Sequence, residues 1–214
     1  MRVIAVPVKD LDRAKGRLSG VLSSMERAAI TLAMLEDVLA ACTQMPGWQT
    51  WVISPDPAVL QQAARMRARP VEEEDPGLVA AIHQVEEEAR GAEALAILLG
   101  DLPLITPEAL LSALQTLGSV VAAPDDSDEG TNLLLRRPPD AIPALFGTRS
   151  FGKHRDAAEQ HDIPFASVSV PELGFDLDRV EDIDTLLADP RPSRARSICH
   201  ELGITERLAL RKRA

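Results

Sequence analysis

The sequence predicts a three-layer α/β/α fold, in which helices cover both faces of a mostly parallel central sheet. Short apolar segments alternate with amphipathic segments of helical periodicity along most of the chain. This alternation is typical of strands that are joined by helical crossovers and therefore pair in parallel. The strand segments are continuous apolar runs, such as ALAILL, which indicates burial on both faces of the sheet. Ligands of such sheets bind at the carboxyl ends of the strands, so functional residues are expected there.

The predicted strands are short and rich in apolar and β-branched residues. In chain order they are Arg2–Val8, Trp48–Ile53, Arg69–Val71, Ala94–Leu99, Val120–Ala123, Asn132–Leu135 and Phe165–Val170. The first strand ends in PVK, so Lys9 opens a polar loop at its carboxyl end.

The predicted helices follow from apolar residues that recur at helical spacing. The first begins at Ser24, and its apolar face consists of Ile30, Met34, Leu35, Val38 and Leu39. The others are Pro57–Met66, Leu78–Ala89, Pro107–Leu117, Ser150–His161 and Val180–Leu187. Thr106 is expected to cap the helix that starts with Pro107.

The composition changes after residue 188, where the chain continues with PRPSRAR and closes with RKRA. Proline and basic residues of this kind indicate a linker followed by a peripheral helix. We therefore predict one catalytic domain in residues 1–188, and a linker with a peripheral C-terminal helix in residues 189–214.

The overall charge limits the classes of partner. The formal net charge of the 214 residues is −10, which disfavours nucleic acids and anionic membrane surfaces, whereas a small anion needs only a local basic patch. No segment approaches the ~20 apolar residues of a membrane span. The two cysteines lack the spacing of a zinc site, and we expect both to be reduced. The sequence therefore predicts a cytoplasmic protein that binds neither nucleic acid nor membrane.

Four cations lie within nine residues, directly after the first strand. They are Lys9, Arg13, Lys15 and Arg17. Lysine and arginine at the ligand edge of a sheet can neutralise the oxygens of a triphosphate. The alternative is a solvated charged loop, because Asp10 and Asp12 are interleaved with the cations; this segment alone does not decide between the two. It matches neither a Walker A loop nor a GxGxxG loop.

Two aspartates are candidates for a divalent metal site. Asp101, in GDLPL, follows the most apolar strand, and Thr106 already supplies the next helix cap, so Asp101 has no evident structural role. Mg²⁺ commonly takes one or two protein carboxylates together with substrate phosphates. Asp176, in GFDLD, is the preferred second ligand, whereas Asp178 is expected to cap the helix that begins at Val180.

Two further segments could bind an anion: GTN, at residues 130–132, and FGTRSFGKH, at residues 146–154. Thr131, Ser150 and the amides around Gly147 offer hydrogen-bond donors, and Ser150 begins a helix. The alternative is a glycine turn followed by an ordinary serine cap. For His154 we expect an exposed helical residue without a catalytic role, with acid/base chemistry as the alternative.

In combination, PVKxLxxAKxRL, GDLPL, GTN, FGxxSFxxH and GFDLD occur in an order that resembles one family. The chain is similar, over about residues 2–187, to the CofC/FbiD guanylyltransferases of coenzyme F420 biosynthesis, within the MobA-like nucleotidyltransferases. The resemblance implies a Rossmann-like nucleotidyltransferase fold. The chain departs from the family pattern at Val79, where the family usually has Asn, so we expect base recognition either to differ or to rest on backbone groups.

The resemblance also implies an activity: transfer of GMP from GTP to phosphoenolpyruvate, 2-phospho-L-lactate or 3-phosphoglycerate, with release of pyrophosphate and with Mg²⁺ as cofactor. It implies catalytic, nucleotide-binding, substrate-binding and metal-binding residues. The catalytic residues would be Lys15, Asp101 and Asp176; the nucleotide-binding residues Lys9, Lys15, Arg17, Gly77 and Asp101; the substrate-binding residues Thr131, Gly147 and Ser150; the metal ligands Asp101 and Asp176.

Partners and alternatives follow from the same resemblance. The downstream transferase of the coenzyme F420 pathway is the expected protein partner, and a homodimer is compatible with the sequence. The alternatives are a nucleotidyltransferase that acts on a molybdopterin or a sugar phosphate, and a catalytically silent nucleotide-binding protein.

Overall fold

The computed structural model describes residues 1–127 and 129–211. Within them, one sheet of seven strands has the order β3-β2-β1-β4-β6-β5-β7. The strands are β1 Arg2–Pro7, β2 Trp48–Ser54, β3 Arg69–Glu72, β4 Ala94–Leu98, β5 Val120–Pro124, β6 Thr131–Arg136 and β7 Phe165–Ser167. The α-helices are α1 Ser24–Cys42, α2 Pro57–Arg65, α3 Leu78–Glu88, α4 Pro107–Gln115, α5 Ser150–Gln160, α6 Pro171–Gly174, α7 Val180–Ala188, α8 Arg194–Glu201 and α9 Ile204–Arg211.

The sheet is mostly parallel, as predicted, with β6 as the exception. The strand β1 pairs in parallel with β2 and β4, whereas β6 runs antiparallel to both β4 and β5. Leu98 near the end of β4 lies opposite Leu133 near the start of β6. Because β6 is reversed, its first residue, Thr131, lies at the edge of the sheet where β1 and β4 end. The reversal therefore adds the start of one strand to the ends of two others.

Helices cover both faces of the sheet, which confirms the three-layer prediction. Successive residues of a strand point to opposite faces. Accordingly, Ile4 and Val6 pack with α1, α2 and α4 in one buried cluster, whereas Val3 and Ala5 pack with α3 in another. A further cluster joins α5 to β5 and β6. The strands are thus buried on both sides, which explains their continuous apolar sequences.

The boundaries of the elements agree closely with the prediction, and the main local difference, at the end of β7, has a physical cause. Thr106 caps α4 as expected, because its hydroxyl accepts from the Ala109 amide at 3.2 Å. The strand β7 ends at Ser167 rather than Val170, because the Leu173 amide bonds to the Val170 carbonyl and begins the unpredicted helix α6. Within the described ranges, we find no helix that is both long enough and apolar enough to span a membrane.

The segment after Asp189 contains two helices, where the sequence analysis expected one. Both helices are amphipathic and bury side chains against apolar residues of α1 and α7. Each helix is therefore stabilised by packing and not by helix propensity alone. The buried residues are Ala195 and Cys199 of α8, Ile204 and Leu208 of α9, Ile30 and Met34 of α1, and Ile183 and Leu186 of α7. The division into a domain of residues 1–188 and an appendage of residues 189–214 stays a prediction.

A carboxylate on α1 caps α8. The Asp37 side chain accepts from the amides of Arg194 and Ala195, at 2.7 and 3.0 Å, and from the Ser193 hydroxyl at 2.9 Å. The two amides are among the otherwise unpaired groups at a helix N-terminus. Asp37 therefore fixes the start of α8 to α1.

Replacing Asp37 with Ala should lower the free energy of unfolding by about 1–2 kcal/mol, because three accepted hydrogen bonds at a helix N-terminus are lost. Chemical denaturation of the two proteins measures this difference. The control is Asp140→Ala, in an exposed loop, which should change the free energy by less than about 0.5 kcal/mol. Equal effects of the two substitutions would contradict a specific cap.

Candidate active site

Lys15 lies at the centre of a charged cluster at the carboxyl ends of β1 and β4. Its Nζ donates to Asp101 Oδ2 at 2.6 Å and to Asp178 Oδ1 at 2.8 Å, and its side chain is only 7% exposed. Burial opposes the charged ammonium, but the Asp101 and Asp178 carboxylates outweigh it, so the pKa of Lys15 lies above its ordinary value. Lys15 is therefore a buried, permanently charged cation.

The backbone around Lys15 is what brings its side chain into the cluster. Lys15 itself is left-handed, with φ of 50°, a conformation that costs a non-glycine residue roughly 1–2 kcal/mol. It lies between the short 3₁₀ turns Leu11–Arg13 and Gly16–Leu18, which are held by the buried side chains of Leu11 and Leu18. Packing of these two leucines thus maintains the strained residue between them.

The GFDLD segment is tied to the ends of the strands by hydrogen bonds. The Leu177 amide donates to the Asp101 carbonyl at 3.2 Å. The Asn132 side chain on β6 donates to the carbonyls of Leu173 and Gly174, at 2.9 and 3.0 Å. These contacts place Asp176 and Asp178 beside Asp101, although some 75 residues separate them along the chain.

Gly100 permits this close approach. A Cβ at this position would lie 3.0 Å from Val8 Cγ2 and 3.3 Å from Val6 Cγ1. Both distances are shorter than ordinary van der Waals contact, so a side chain here would require these valines or the chain after β4 to shift. Glycine thus lets the residue before Asp101 lie close to β1.

Three carboxylates converge in this cluster. Asp101, Asp176 and Asp178 each offer an oxygen, and these oxygens lie within 4.8 Å of one another. Burial, then the negative charges of Asp101 and Asp178, raise the pKa of Asp176 to about 7. Asp101 Oδ1 is buried and has no hydrogen-bond partner among the described residues. An excess of hard oxygen ligands with one buried lone oxygen fits a divalent cation such as Mg²⁺.

Asp178 does not cap α7, so that part of the sequence prediction is wrong. Asp182, inside the helix, instead accepts from the amides of Asp178 and Arg179 at 2.8 and 2.5 Å. This leaves the Asp178 carboxylate to bind Lys15 and, at 3.2 Å, Arg17. Burial opposes ionisation of Asp178, but Lys15 and then Arg17 hold its pKa below the ordinary value. The DLD spacing, which puts Asp176 and Asp178 two residues apart, is the sequence signal that could have placed both carboxylates in the charged cluster.

Thr131, Ser150 and His154 form a second, uncharged cluster. Thr131 Oγ1 lies 3.1 Å from Ser150 Oγ and 3.1 Å from His154 Nδ1. Ser150 is the first residue of α5, whose cap residue is Arg149, so Ser150 does not act as the helix cap. The start of β6 and the start of α5 are thus joined by side-chain hydroxyls.

His154 is fully buried, which contradicts the expectation of an exposed residue. It lies four residues after Ser150 in α5 and therefore on the same face of that helix, the face that packs on β5 and β6. The polar sequence of α5 hid this face, because its buried residues include Ser150 and His154 besides two alanines. Burial, and then the charges of Arg136 and Lys153, lower the pKa of His154 to about 4.

The remaining predicted residues surround the two clusters or a neighbouring cavity. Arg17 and Lys9 are exposed beside Asp178, and both charges lower the pKa of that carboxyl. Gly77 precedes α3, and Gly147, with φ of 117°, lies in the loop before α5. Both border a cavity of about 870 Å³, whose other lining residues include Val79, His83 and Phe146. The structure thus brings Gly77 and Gly147 to one cavity, and Lys15, Asp101 and Asp176 to one cluster.

Comparison with protein families gives a match along almost the whole chain. Residues 1–211 match the family described as guanylyl transferase CofC like. A phosphoenolpyruvate guanylyltransferase from Rubrobacter xylanophilus is 42% identical over 205 residues, which are 91% of this chain and 100% of the relative. One from Sphaerobacter thermophilus is 38% identical over 190 residues, 86% of this chain and 91% of the relative.

Solved structures share the fold. A Desulfovibrio desulfuricans protein described as a nucleotide-diphospho-sugar transferase superposes with a TM-score of 0.79 at 16% identity, covering 97% of this chain and 98% of that one. A nucleotidyl transferase from Methanothermobacter thermautotrophicus gives 0.61 at 16% identity, covering 87% and 95%. At such identities the likeness concerns the fold alone.

Asp176→Asn should remove one contribution to the pH dependence of stability in the metal-free protein. Asp176 has a pKa of about 7 when folded and 3.8 as an unperturbed group, so the folded state binds the extra proton between these values. Asp176 therefore contributes a loss of stability as the pH rises from 4 to 7, and the variant, whose amide does not titrate, should lack this contribution. Thermal unfolding in the presence of a chelator measures both slopes.

Addition of Mg²⁺ at pH 8 should stabilise the wild type and have little effect on Asp176→Asn, because a ligand that binds only the folded state raises the melting temperature. Asp140→Asn, in an exposed loop, is the matched control and should behave as the wild type. Parallel pH slopes in the wild type and Asp176→Asn would contradict the raised pKa.

Proposed function

Because the chain belongs to the CofC-like family of guanylyl transferases, we propose that it transfers GMP from GTP to phosphoenolpyruvate and releases pyrophosphate. Phosphoenolpyruvate is the acceptor named for each of the relatives that are 42% and 38% identical to this chain. In coenzyme F420 biosynthesis, the product would pass to a downstream transferase.

The observation that carries the proposal is the presence of two chemically different clusters at one edge of the sheet. The charged cluster of Lys15, Asp101, Asp176 and Asp178 suits a metal-bound triphosphate. The hydroxyl cluster of Thr131 and Ser150 suits a small anion without adding charge. A transfer between two polyanions requires both kinds of site side by side.

The reaction needs no covalent intermediate with the protein. An oxygen of the phosphoenolpyruvate phosphate attacks the α-phosphorus of GTP, a new P–O bond forms, and the bond to pyrophosphate breaks with the electrons remaining on the leaving oxygen. The attacking phosphate is already ionised at neutral pH, so no general base is required. Catalysis therefore consists of positioning and charge stabilisation.

The charged cluster would bind and neutralise the triphosphate. Asp101, Asp176 and Asp178 would hold Mg²⁺, which when bound stabilises negative charge on the phosphate oxygens. The Lys15 ammonium has three N–H donors, of which two are used by Asp101 and Asp178, and the third can donate to a phosphate oxygen. Arg17, with a side chain 67% exposed, can turn from Asp178 to the phosphates at little cost.

The acceptor and the nucleoside would occupy neighbouring positions. Thr131, Ser150 and the Gly147 amide would bind the carboxylate or phosphate of phosphoenolpyruvate. The cavity beside Gly77 would take the nucleoside, and Gly147 borders this same cavity. Val79 lines it too and is 66% exposed, so its aliphatic side chain offers the base a surface but no hydrogen bond. Recognition of guanine would then rest on backbone and other lining groups.

The purified protein with Mg²⁺, GTP and phosphoenolpyruvate should release pyrophosphate, because the two anions are brought together at neighbouring clusters. The measurement is a pyrophosphate assay across the four NTPs and across phosphoenolpyruvate, 2-phospho-L-lactate and 3-phosphoglycerate, with and without the downstream transferase. Asp101→Asn should reduce turnover by at least about 100-fold, because a metal ligand is lost.

Absence of pyrophosphate with every combination would reject the proposal in favour of a molybdopterin or sugar-phosphate acceptor. Unchanged turnover of Asp101→Asn would reject the metal assignment instead. Circular dichroism of the variant, which should match the wild type, separates loss of chemistry from loss of fold.

Ser150→Ala should raise the KM for phosphoenolpyruvate by about tenfold and leave the KM for GTP nearly unchanged, because it removes one of the two linked hydroxyls proposed to bind the charged acceptor. Steady-state kinetics with each substrate varied in turn measures this. Ser197→Ala, which removes a hydroxyl that bonds only within α8, is the matched control. An equal rise of the two KM values would remove Ser150 from the acceptor site.

A further inference from the structure

His154 makes hydrogen bonds through both ring nitrogens while fully buried. Nε2 lies 2.8 Å from the Leu145 amide nitrogen, and Nδ1 lies 3.1 Å from Thr131 Oγ1. The ring also contacts Phe146 edge-on, with centroids 5.3 Å apart at 68°. His154 therefore connects the loop that carries Gly147 to the first residue of β6.

These contacts determine which nitrogen carries the proton. A backbone amide can only donate, so Nε2 accepts, and in a neutral ring the proton is then on Nδ1. The ring is neutral at pH 7, because burial, together with Arg136 and Lys153, lowers its pKa to about 4. Nδ1–H therefore donates to Thr131 Oγ1.

This donation limits what the neighbouring hydroxyls can do. Thr131 and Ser150 have one proton each, and one of the two joins their oxygens at 3.1 Å. The second hydroxyl proton has no hydrogen-bond acceptor within the described part of the chain. Because Nδ1 is a donor, it cannot accept that proton. With the opposite tautomer, Nδ1 would be an acceptor and would take it away from the site.

We infer that His154 is a positioning residue, which keeps the Thr131–Ser150 hydroxyl pair available as a hydrogen-bond donor to the anionic acceptor substrate. The inference rests on the proposed function, in which Thr131 and Ser150 contact that substrate. Carboxylate and phosphate oxygens only accept hydrogen bonds, so a hydroxyl proton that is free to donate matches them, whereas a lone pair in its place would repel them. His154 itself touches no substrate and acts through Thr131.

Two variants, each of which retains a polar atom near one of the two ring-nitrogen positions, separate this role from a packing role. In His154→Asn the side-chain nitrogen can take the place of Nδ1 and still donate to Thr131, whereas in His154→Gln the longer amide reaches the position of Nε2 and the donor to Thr131 is lost. His154→Gln should raise the KM for phosphoenolpyruvate about tenfold and change that for GTP less than about twofold. His154→Asn should retain most of the affinity for phosphoenolpyruvate.

The control is His161→Gln, at the exposed end of the same helix, which should alter neither KM. Melting temperatures of all variants report the packing contribution separately. Equal rises of the phosphoenolpyruvate KM in His154→Gln and His154→Asn, or a rise of both KM values together, would overturn the inference, since either result indicates a general structural role.

A spectroscopic test does not depend on the substrate. The ¹⁵N chemical shifts of the imidazoles show which nitrogen of each ring carries the proton, and the spectrum of His154→Gln identifies the His154 signals among those of the four histidines. A proton on Nδ1 is expected, and a proton on Nε2 would overturn the inference. If the tautomer is as expected but wild-type protein releases no pyrophosphate with phosphoenolpyruvate, the proposed function fails, and the inferred role of His154 fails with it.

Discussion

The mutual repulsion of three carboxylates around one buried lysine is the constraint on which the site depends. Asp101, Asp176 and Asp178 come from two distant segments, and their oxygens meet within 4.8 Å only because Lys15 and backbone hydrogen bonds hold them. Part of the folding free energy is thus used to bury these carboxylates close together: burial, and then the charges of Asp101 and Asp178, raise the pKa of Asp176. Repulsion among the carboxylates destabilises the fold, and a bound divalent cation would relieve it. The same repulsion would therefore favour the binding of such a cation.

The site also depends on the reversed strand β6. Residues at the start of β6 lie at the edge of the sheet where β1 and β4 end. Thr131 starts the hydroxyl cluster, and the next residue, Asn132, holds the segment that leads to Asp176. Alternation of the side chains makes these two neighbours point to opposite faces. One short strand therefore supports the proposed acceptor site with one residue and the proposed metal site with the next.

Most of the fold could be predicted from the sequence, because periodicity and caps are local signals; Thr106 and the strand Ala94–Leu98 are examples. The order of the strands and the reversal of β6 could not, since both depend on pairing between distant segments. Within the site, the sequence points to Asp101 because it follows the most apolar strand, and to Asp176 because a second carboxylate is expected and Asp178 is assigned to a helix cap. Asp178 was misassigned because the competing cap, Asp182, is visible only once the helix is built. His154 was missed because a polar helix gives no sign of which face is buried.

The chemistry of the two clusters differs in a way that suits the proposed reaction. Positive charge at the charged cluster would be useful because the pyrophosphate leaves with added negative charge, which Lys15 and a bound cation would stabilise. At the acceptor cluster, a strong cation would hold the attacking phosphate oxygen and reduce its nucleophilicity. Thr131 and Ser150, together with a histidine that burial keeps neutral, would orient the acceptor substrate by hydrogen bonds without adding positive charge. Burial thus acts differently in the two clusters: it keeps His154 uncharged beside the proposed acceptor site, whereas at the proposed metal site burial, together with the charges of Asp101 and Asp178, raises the pKa of Asp176.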